Sequence, residues 1–258
     1  MSNNLNFTLI QPDIIWEDKT TNLRNYQSVI NGIIDSDIIV LPEMFSTGFS
    51  MSPEDLSEEM SGMTVNWMRI NAKKRNAVVC GSLIIKEDGK FYNRFIWAQP
   101  DGEIITYDKI NLFSFANEDQ HYSPGNKKII IEYKGWKICP QICYDLRFPV
   151  WSRNKEGYDI LLYVANWPET RSEAWKTLLK ARAIENQCYV VGLNRVGYDG
   201  KGLSYSGDSC IIDAFGNKIL DVPKDLPNVS RKEVTMKNLI YQREELPFLK
   251  DIEKFNLI

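Results

Sequence analysis

The chain has 258 residues and a mass of 29.9 kDa, with 43% hydrophobic and 25% charged residues, a globular composition that excludes disordered, collagen-like and coiled-coil classes. Its 31 basic and 34 acidic residues give a net charge of −3, so neither a nucleic-acid partner nor a polybasic membrane surface is expected. The amino terminus lacks the features of a signal peptide, and no apolar run reaches the roughly 20 residues that span a bilayer, so a soluble cytoplasmic protein without a membrane partner is expected.

Apolar, β-branched runs predict strands, in chain order, over residues 6–11, 37–41, 77–85, 91–98, 104–107, 128–132, 137–142, 160–164, 189–194, 209–212 and 218–222. Apolar residues three and four positions apart predict helices over 20–33, 63–72 and 173–185, the last capped by Ser172. Strands and helices alternate at both ends, with a run of strands between. This order predicts an α+β body of two packed sheets with flanking helices, in one domain over residues 1–245. The segment 246–258 is expected to pack on this body or on a partner subunit.

Several familiar sites are disfavoured by the sequence. The five cysteines are odd in number and widely spaced, which argues against a disulfide framework. If Cys139 and Cys143 lie on one strand, their Cα atoms are ~13 Å apart, too far for a disulfide or a shared metal. The single histidine, His121, nearly excludes the usual zinc clusters. The absence of G-x-G-x-x-G after a strand and of G-x-S-x-G disfavours dinucleotide binding and a serine elbow.

Three apolar segments each end in a residue capable of chemistry. Glu43 follows the run 37–41 and Pro42, Lys109 follows the run 104–107, and Cys143 follows the run 137–142. Taken singly, each has an ordinary explanation: a surface carboxylate, a surface lysine or a small buried hydrophobe. Together they supply a base, a cation and a nucleophile on separate strand ends, where binding residues tend to converge.

These segments resemble a known family. Leu41-Pro42-Glu43, Lys109 with Leu112-Phe113, and the run 142–149 (ICYDLRFP) are similar to the three signature segments of the nitrilase (carbon–nitrogen hydrolase) superfamily, and the likeness extends from Gln11 to about Val222. The resemblance implies a four-layer α-β-β-α sandwich, a Glu-Lys-Cys triad, no cofactor and a homodimer or larger homo-oligomer.

The resemblance also assigns roles to residues. It implies that Glu43 is the general base, Lys109 the electrophilic stabiliser and Cys143 the nucleophile. Glu118, upstream of the Pro124-Gly125 turn, would orient Lys109 and the substrate amide. Asn111 departs from the family, since many members carry histidine there, which puts the subgroup rather than the chemistry in doubt.

Later segments are similar to the bacterial omega-amidase branch, namely 164–168 (VANWP), 181–187 (ARAIENQ) and 194–197 (NRVG). Members of that branch hydrolyse the terminal amide of 2-oxoglutaramate and 2-oxosuccinamate to a 2-oxo acid and ammonia. The resemblance therefore implies a cysteine-dependent amidohydrolase that acts on such a small monoamide through a thioester.

This chemistry needs further groups. Lys109 and the backbone N–H of Tyr144 would hold the oxyanion. The substrate carboxylate calls for an arginine, with Arg171 the first candidate and Arg94 and Arg195 next. Arg147 is expected to pair with Asp145 and to anchor the turn. Aromatic walls of the pocket are expected from Phe115, Tyr144 and Trp167.

Other interpretations stay open at this point. One is a different branch of the superfamily: a carbamoylase, an aliphatic amidase or a nitrilase. Another is a Cys–His thiol hydrolase, which would require His121 as the base. The third is a family member that has become a binding or scaffold protein.

Overall fold

The structure, a computed structural model, describes residues 4–253, so the last five residues of the predicted C-terminal segment lie outside the described part. Its strands are β1 Asn4–Gln11, β2 Ile38–Val40, β3 Val78–Glu87, β4 Lys90–Ala98, β5 Ile104–Asp108, β6 Ile131–Tyr133, β7 Trp136–Ile142, β8 Ile160–Val164, β9 Tyr189–Leu193, β10 Val196–Tyr198, β11 Ser204–Ser206, β12 Cys210–Ile212, β13 Lys218–Asp221 and β14 Asn228–Thr235. The α-helices are α1 Lys19–Asn31, α2 Pro53–Leu56, α3 Met63–Arg75, α4 Glu118–His121, α5 Pro149–Ser152, α6 Ser172–Asn186 and α7 Met236–Glu245.

The strands form two six-stranded mixed sheets and one small hairpin. The first sheet has the order β14-β1-β2-β3-β4-β5 and the second β13-β12-β9-β8-β7-β6, while β10 and β11 pair with each other as a separate two-stranded hairpin. In the first sheet β1, β2 and β3 run parallel, β4 pairs antiparallel with β3, and β5 pairs antiparallel with β4. In the second sheet β7, β8 and β9 run parallel, β12 pairs antiparallel with β9, and β13 pairs antiparallel with β12. The strands β1–β5 of the first sheet and β7, β8, β9, β12 and β13 of the second therefore repeat one topology.

Helices cover the outer face of each sheet, and the main core lies between the sheets. Along β2, Ile38 and Val40 belong to the core shared with the second sheet, while Ile39 packs with α1 and α3, as the period of two along a strand requires. All five residues of β8 are buried, because neighbouring strands and both faces surround it. Trp175 and Leu179 of α6 pack on the second sheet. These layers confirm the predicted α-β-β-α sandwich.

The structure differs from the sequence prediction in several secondary-structure elements and in one predicted helix cap. The hairpin β10–β11, the edge strand β14 and the helix α7 were not predicted, and the strand predicted at 128–132 is the shorter β6, Ile131–Tyr133. Ser172 does not cap α6: it is the first helical residue, and its hydroxyl donates instead to Asp208 Oδ2 at 2.7 Å. The strand β7 continues through Pro140, which pairs with Leu162. All five cysteines are buried and free.

The C-terminal segment lies against the end of α6 as far as the structure describes it. Leu246 O accepts a hydrogen bond from the Gln187 side chain, and Leu249 N donates to Gln187 Oε1 at 3.2 Å. Arg243 of α7 donates to Gln187 O and pairs with Asp159 at 2.8 Å. Within residues 4–253, no helix has both the length and the apolar character needed to cross a bilayer.

Candidate active site

Glu43 emerges one residue beyond Pro42, at the carboxyl end of β2. Its side chain is fully buried. The next residue, Met44, has a φ of 41°, in the left-handed region, and its N–H donates to Ser82 Oγ at 2.9 Å. A positive φ at a residue other than glycine is uncommon and needs support from its surroundings. The turn that presents Glu43 is thus tied to the neighbouring strand β3.

Lys109 directly follows β5, and its side chain points into the same buried region. The backbone N–H of Lys109 donates to Asn93 O on β4 at 3.0 Å. Its Nζ lies 2.9 Å from Glu43 Oε1, and 3.0 and 2.9 Å from the two carboxylate oxygens of Glu118. Burial disfavours the ammonium, but the charges of Glu118 and Glu43 outweigh this effect and raise the pKa of Lys109. The lysine is therefore held as a cation.

Glu118 begins the short helix α4 and is fully buried. Its Oε2 accepts the backbone N–H of Phe113 at 2.7 Å in addition to the lysine. Burial raises the pKa of Glu118, while the charge of Lys109 opposes that rise. The sequence prediction that Glu118 lies beside Lys109 agrees with this position.

Cys143 lies where β7 ends and a short 3₁₀ helix, Cys143–Arg147, begins. Its φ is 44°, so the nucleophile candidate occupies a sharp left-handed turn. In a 3₁₀ helix the first N–H groups have no partner within the helix, and the N–H of Tyr144, the residue after Cys143, is one of these groups.

The turn is anchored by Asp145 rather than by the predicted Asp145–Arg147 pair. Asp145 accepts the N–H of Ile142 at 3.0 Å, the Tyr107 hydroxyl at 2.8 Å, and both the backbone and the side-chain N–H of Asn111 at 3.0 and 2.8 Å. Arg147 is exposed, and its guanidinium lies 5.0 Å from the Trp167 ring centre. The prediction failed because Asp145 is buried under the turn while Arg147 points outward.

Asn166, which follows β8, connects the thiol to Glu43. The Cys143 S–H donates to Asn166 O at 3.8 Å, and Asn166 N donates to Glu43 Oε2 at 2.8 Å. The Asn166 side chain also donates to Glu43 O. Burial and the nearby charge of Glu43 raise the pKa of the Cys143 thiol, against the opposing charge of Lys109. The resting sulfur is therefore a thiol beside a carboxylate.

A cavity of about 620 Å³, counting its open mouth, lies above Cys143. Three cationic side chains, one carboxylate and five aromatic rings line it; the lining residues are Phe49, Phe113, Ala116, Cys143, Tyr144, Arg147, Asn166, Trp167, Pro168, Arg171, Asp199, Lys201, Leu203 and Tyr205. Asp199 is engaged by the hairpin that carries it, since it accepts the Tyr205 hydroxyl and two backbone N–H groups. The cavity thus carries a net positive lining around a buried thiol.

Two arginines at the cavity wall are fixed against aromatic rings. The guanidinium of Arg171 lies 5.3 Å from the Phe113 ring centre, and Arg147 lies over Trp167 as described above. Trp167 Nε1 donates to Arg171 O at 2.8 Å, so the tryptophan ties the two positions together. Within residues 4–253, neither guanidinium makes a hydrogen bond or an ion pair with the protein.

The structure separates the other predicted binding residues. Tyr144 and Trp167 line the cavity as expected, but Phe115 does not: its side chain is 84% exposed, and Phe113 supplies the ring. Arg94 is bound by Asp108 at 2.6 Å and by Glu87 at 2.8 Å. Arg195 is buried behind Tyr205 and donates to backbone carbonyls. Neither of the last two lines the cavity.

Sequence reasoning missed Asn93, Ser82 and the role of Asn166. Asn93 Nδ2 donates to Glu43 Oε1 at 2.8 Å and to Glu118 Oε1 at 3.1 Å. An available signal was the type of residue, because asparagine is depleted in strands and Asn93 lies inside the predicted strand 91–98.

His121, the base that a Cys–His hydrolase would need, ends α4 and does not line the cavity. The ionisable groups that act on the Cys143 thiol are Glu43, Lys109 and Glu118. In the described part of the chain, no group of three or more His, Cys, Asp and Glu side chains is arranged to hold a metal ion.

Comparisons with known proteins agree with this geometry. A family model described as carbon-nitrogen hydrolase matches residues 7–241. The chain is 45% identical over 253 residues to the omega-amidase YafV of Escherichia coli K12, covering 98% of each chain. It is 34% identical over 224 residues to the 2-oxoglutaramate amidase of Bacillus subtilis, covering 85% of this chain and 86% of that one. A CN-hydrolase superfamily protein of Xanthomonas campestris, whose crystal structure has an arsenic adduct in the active site, superposes with a TM-score of 0.96 at 40% identity over 99% of each chain.

Proposed function

The chain belongs to the carbon–nitrogen hydrolase family, on the omega-amidase branch of the nitrilase superfamily, and from this premise we propose that it cleaves the terminal amide of a small 2-oxo dicarboxylic acid monoamide. It is an amidohydrolase. The proposed substrates are 2-oxoglutaramate and 2-oxosuccinamate, and the products are the 2-oxo acid and ammonia. The observation that carries the choice of substrate is the pair of arginines, Arg171 and Arg147, on the wall of the cavity above the thiol.

The proposed first half of the reaction forms a thioester. Glu43 removes the proton from the Cys143 thiol, and the sulfur attacks the amide carbonyl carbon. The resulting oxyanion accepts hydrogen bonds from Lys109 Nζ and the N–H of Tyr144. Glu43 then passes its proton to the amide nitrogen, the C–N bond breaks, and ammonia leaves. The contacts of Asn166 with both the thiol and the Glu43 carboxylate support this exchange of one proton.

The second half consumes one water molecule. Glu43, again a carboxylate, accepts a proton from water as the water oxygen attacks the thioester carbonyl. The same donors hold the second oxyanion, the C–S bond breaks, and the proton returns to the sulfur. The net reaction converts amide and water into carboxylic acid and ammonia. Lys109 keeps its proton throughout, which agrees with its raised pKa between two carboxylates.

The arginine pair gives the substrate its orientation in this proposal. A guanidinium binds a carboxylate through two parallel hydrogen bonds, and stacking on an aromatic ring fixes its plane beforehand. With the substrate carboxylate held at Arg171 and Arg147, the far end of a short chain reaches Cys143. A neutral amide or a nitrile would leave these two cations without a partner.

A panel of substrates with ammonia detection tests the proposal. We expect kcat/KM for 2-oxoglutaramate to exceed that for propionamide by about 10²-fold, the contribution of a charge-assisted hydrogen-bonded contact. Arg171→Gln should raise KM for the 2-oxo monoamide and leave propionamide turnover unchanged, while Arg24→Gln, at an exposed position on α1, serves as the matched control. Preference for propionamide, N-carbamoyl-β-alanine or propionitrile would replace this function with an aliphatic amidase, a carbamoylase or a nitrilase.

The thioester has its own measurement. Mass spectrometry of acid-quenched turnover mixtures should detect an acyl adduct on the peptide that contains Cys143. The adduct should be missing in Cys143→Ala. Its absence from the wild-type protein during rapid turnover would contradict the covalent route.

A further inference from the structure

The groups beneath the cavity form a buried charge cluster, defined as Glu43, Glu118 and Lys109. It contains two carboxylates and one ammonium, and the three side chains have no more than 1% of their surface exposed. Two negative charges that share one cation in a dry site repel each other, and one of them tends to keep a proton. Additional hydrogen-bond donors are needed if both carboxylates are to stay ionised.

Asn93 supplies such donors from the middle of β4. Its Nδ2 lies 2.8 Å from Glu43 Oε1 and 3.1 Å from Glu118 Oε1. These are the same two oxygens that Lys109 Nζ contacts at 2.9 and 3.0 Å. The two carboxylates are therefore bridged twice, once by a cation and once by a neutral amide, and Asn93 is itself fully buried.

Ser82 on β3 fixes which way the Asn93 amide faces. Met44 N–H can only donate, and it donates to Ser82 Oγ at 2.9 Å. The Ser82 hydroxyl proton is then directed to Asn93 Oδ1, 2.8 Å away. With its oxygen occupied in this way, Asn93 presents its NH₂ group to the carboxylates. A single line of donors thus runs from the backbone N–H next to Glu43, through Ser82 and Asn93, back to the Glu43 carboxylate.

We propose that Asn93 is a positioning residue for the reaction: oriented by Ser82, it holds Glu43 and Glu118 side by side as two unprotonated carboxylates and so keeps Glu43 ready to act as the base. The inference depends on the proposed function only for the role of Glu43. The charged and titratable groups around Asn93 are those of the buried charge cluster and Cys143, with the Tyr122 hydroxyl and the Asp145 carboxylate also within electrostatic reach of the cluster.

The test replaces Asn93 and follows the pH dependence of two reactions. In Asn93→Ala the carboxylate pair loses a donor and binds a proton more tightly, so the acid limb of kcat/KM should move to higher pH by about one unit, with kcat lowered about 10²-fold and KM little changed. Asn93→Asp keeps the shape of the side chain but adds a third carboxylate, and it should lose at least as much activity. Ser82→Ala should shift the limb in the same direction by a smaller amount.

The second reaction is alkylation of Cys143 by iodoacetamide, followed by peptide mass spectrometry over the same pH range. It needs no knowledge of the natural substrate, and the other four cysteines are completely buried. The pH of half-maximal alkylation should rise in Asn93→Ala as the acid limb does. If the wild-type protein turns over no 2-oxo monoamide while the alkylation curve still shifts, the proposed substrate fails and the positioning role stands.

A control separates positioning from general packing. Asn71 is another buried asparagine, on α3, and its side chain bonds to Gln27 and Trp67 O. Asn71→Ala should lower Tm without moving either pH profile. The inference is overturned if Asn93→Ala or Ser82→Ala, folded by circular dichroism, keeps the wild-type pH profiles, or if Asn93→Asp retains wild-type activity, as a side chain needed only for packing would.

Discussion

The ammonium of Lys109 lies between two carboxylates that have different surroundings. Glu43 also contacts Asn166 beside the thiol, whereas Glu118 accepts the Phe113 N–H. The charge of Glu118 therefore balances Lys109 without taking part in proton exchange with the sulfur. If that charge is removed, the ammonium has only Glu43 to pair with and competes with the thiol for it.

This competition predicts the outcome of Glu118→Gln. We expect kcat to fall about 10²-fold, a loss typical of removing one preorganised charged group, with a smaller change in KM. Asp119→Asn is the matched control, because Asp119 is the next residue of α4 and is exposed. Steady-state kinetics of the two variants measure the effect, and a Glu118→Gln enzyme with more than a third of wild-type kcat would contradict the role.

For individual residues, the sequence predicted which side chains form the candidate site better than it predicted the contacts of their neighbours. Glu43, Lys109, Glu118 and Cys143 were expected together, and the structure joins the first three by hydrogen bonds and brings their charges to bear on the Cys143 thiol. Arg147 and Phe115 were assigned to other places than those they occupy, since the direction of a side chain on a short turn depends on what is buried beneath it. The local sequence does not predict that the Asp145 side chain is buried and accepts four hydrogen bonds while the Arg147 side chain is exposed.

Close backbone contacts position the elements that carry the site, and Gly125 makes one of these contacts. Its N–H donates to Lys109 O at 2.9 Å, and a Cβ built on Gly125 would lie 2.2 Å from Asp108 O. The loop after α4 therefore packs directly against the end of β5, which positions the lysine.

Gly125→Ala should consequently move the end of β5. We expect a loss of about 1–3 kcal/mol in the free energy of unfolding, the usual cost of overpacking, and a lower kcat because Lys109 shifts. Gly32→Ala is the control, since a Cβ there meets only Val29 O at 3.6 Å. Urea denaturation and kinetics compare the two, and equal stability of both variants would disprove the contact.

The elements that escaped prediction share a weak hydrophobic pattern. In β14, the run Asn228–Thr235 has one buried residue, Val234, because it is an edge strand paired only with β1. In α7 only Leu239 and Gln242 are buried. Contacts with residues distant in the sequence stabilise such elements, so the apolar periodicity of their own sequence does not predict them. The central strands, buried on both faces, were predicted to within a few residues.

At the scale of the whole molecule, the surface around α7 carries exposed apolar side chains close together. Phe215 and Tyr241, which are 40% and 57% exposed, line one groove. Ile184, which is 39% exposed, lies beside Gly216, the residue after Phe215: a Cβ built on Gly216 would contact Ile184. Clustered exposed apolar residues are typical of association surfaces. The occupant we expect is a second copy of this chain, as the sequence resemblance implies.

Sedimentation velocity tests this expectation. The wild-type protein should sediment as a dimer or larger species, and Tyr241→Glu should shift it toward the monomer, because a carboxylate buried between two copies is costly. Ile34→Glu is the control: Ile34 is 72% exposed but does not line the groove of Phe215 and Tyr241, so its replacement should leave the sedimentation coefficient unchanged. A wild-type protein that sediments only as a monomer at all concentrations would contradict self-association. Equal effects of the two substitutions would place the interface elsewhere than on the groove shared by Phe215 and Tyr241.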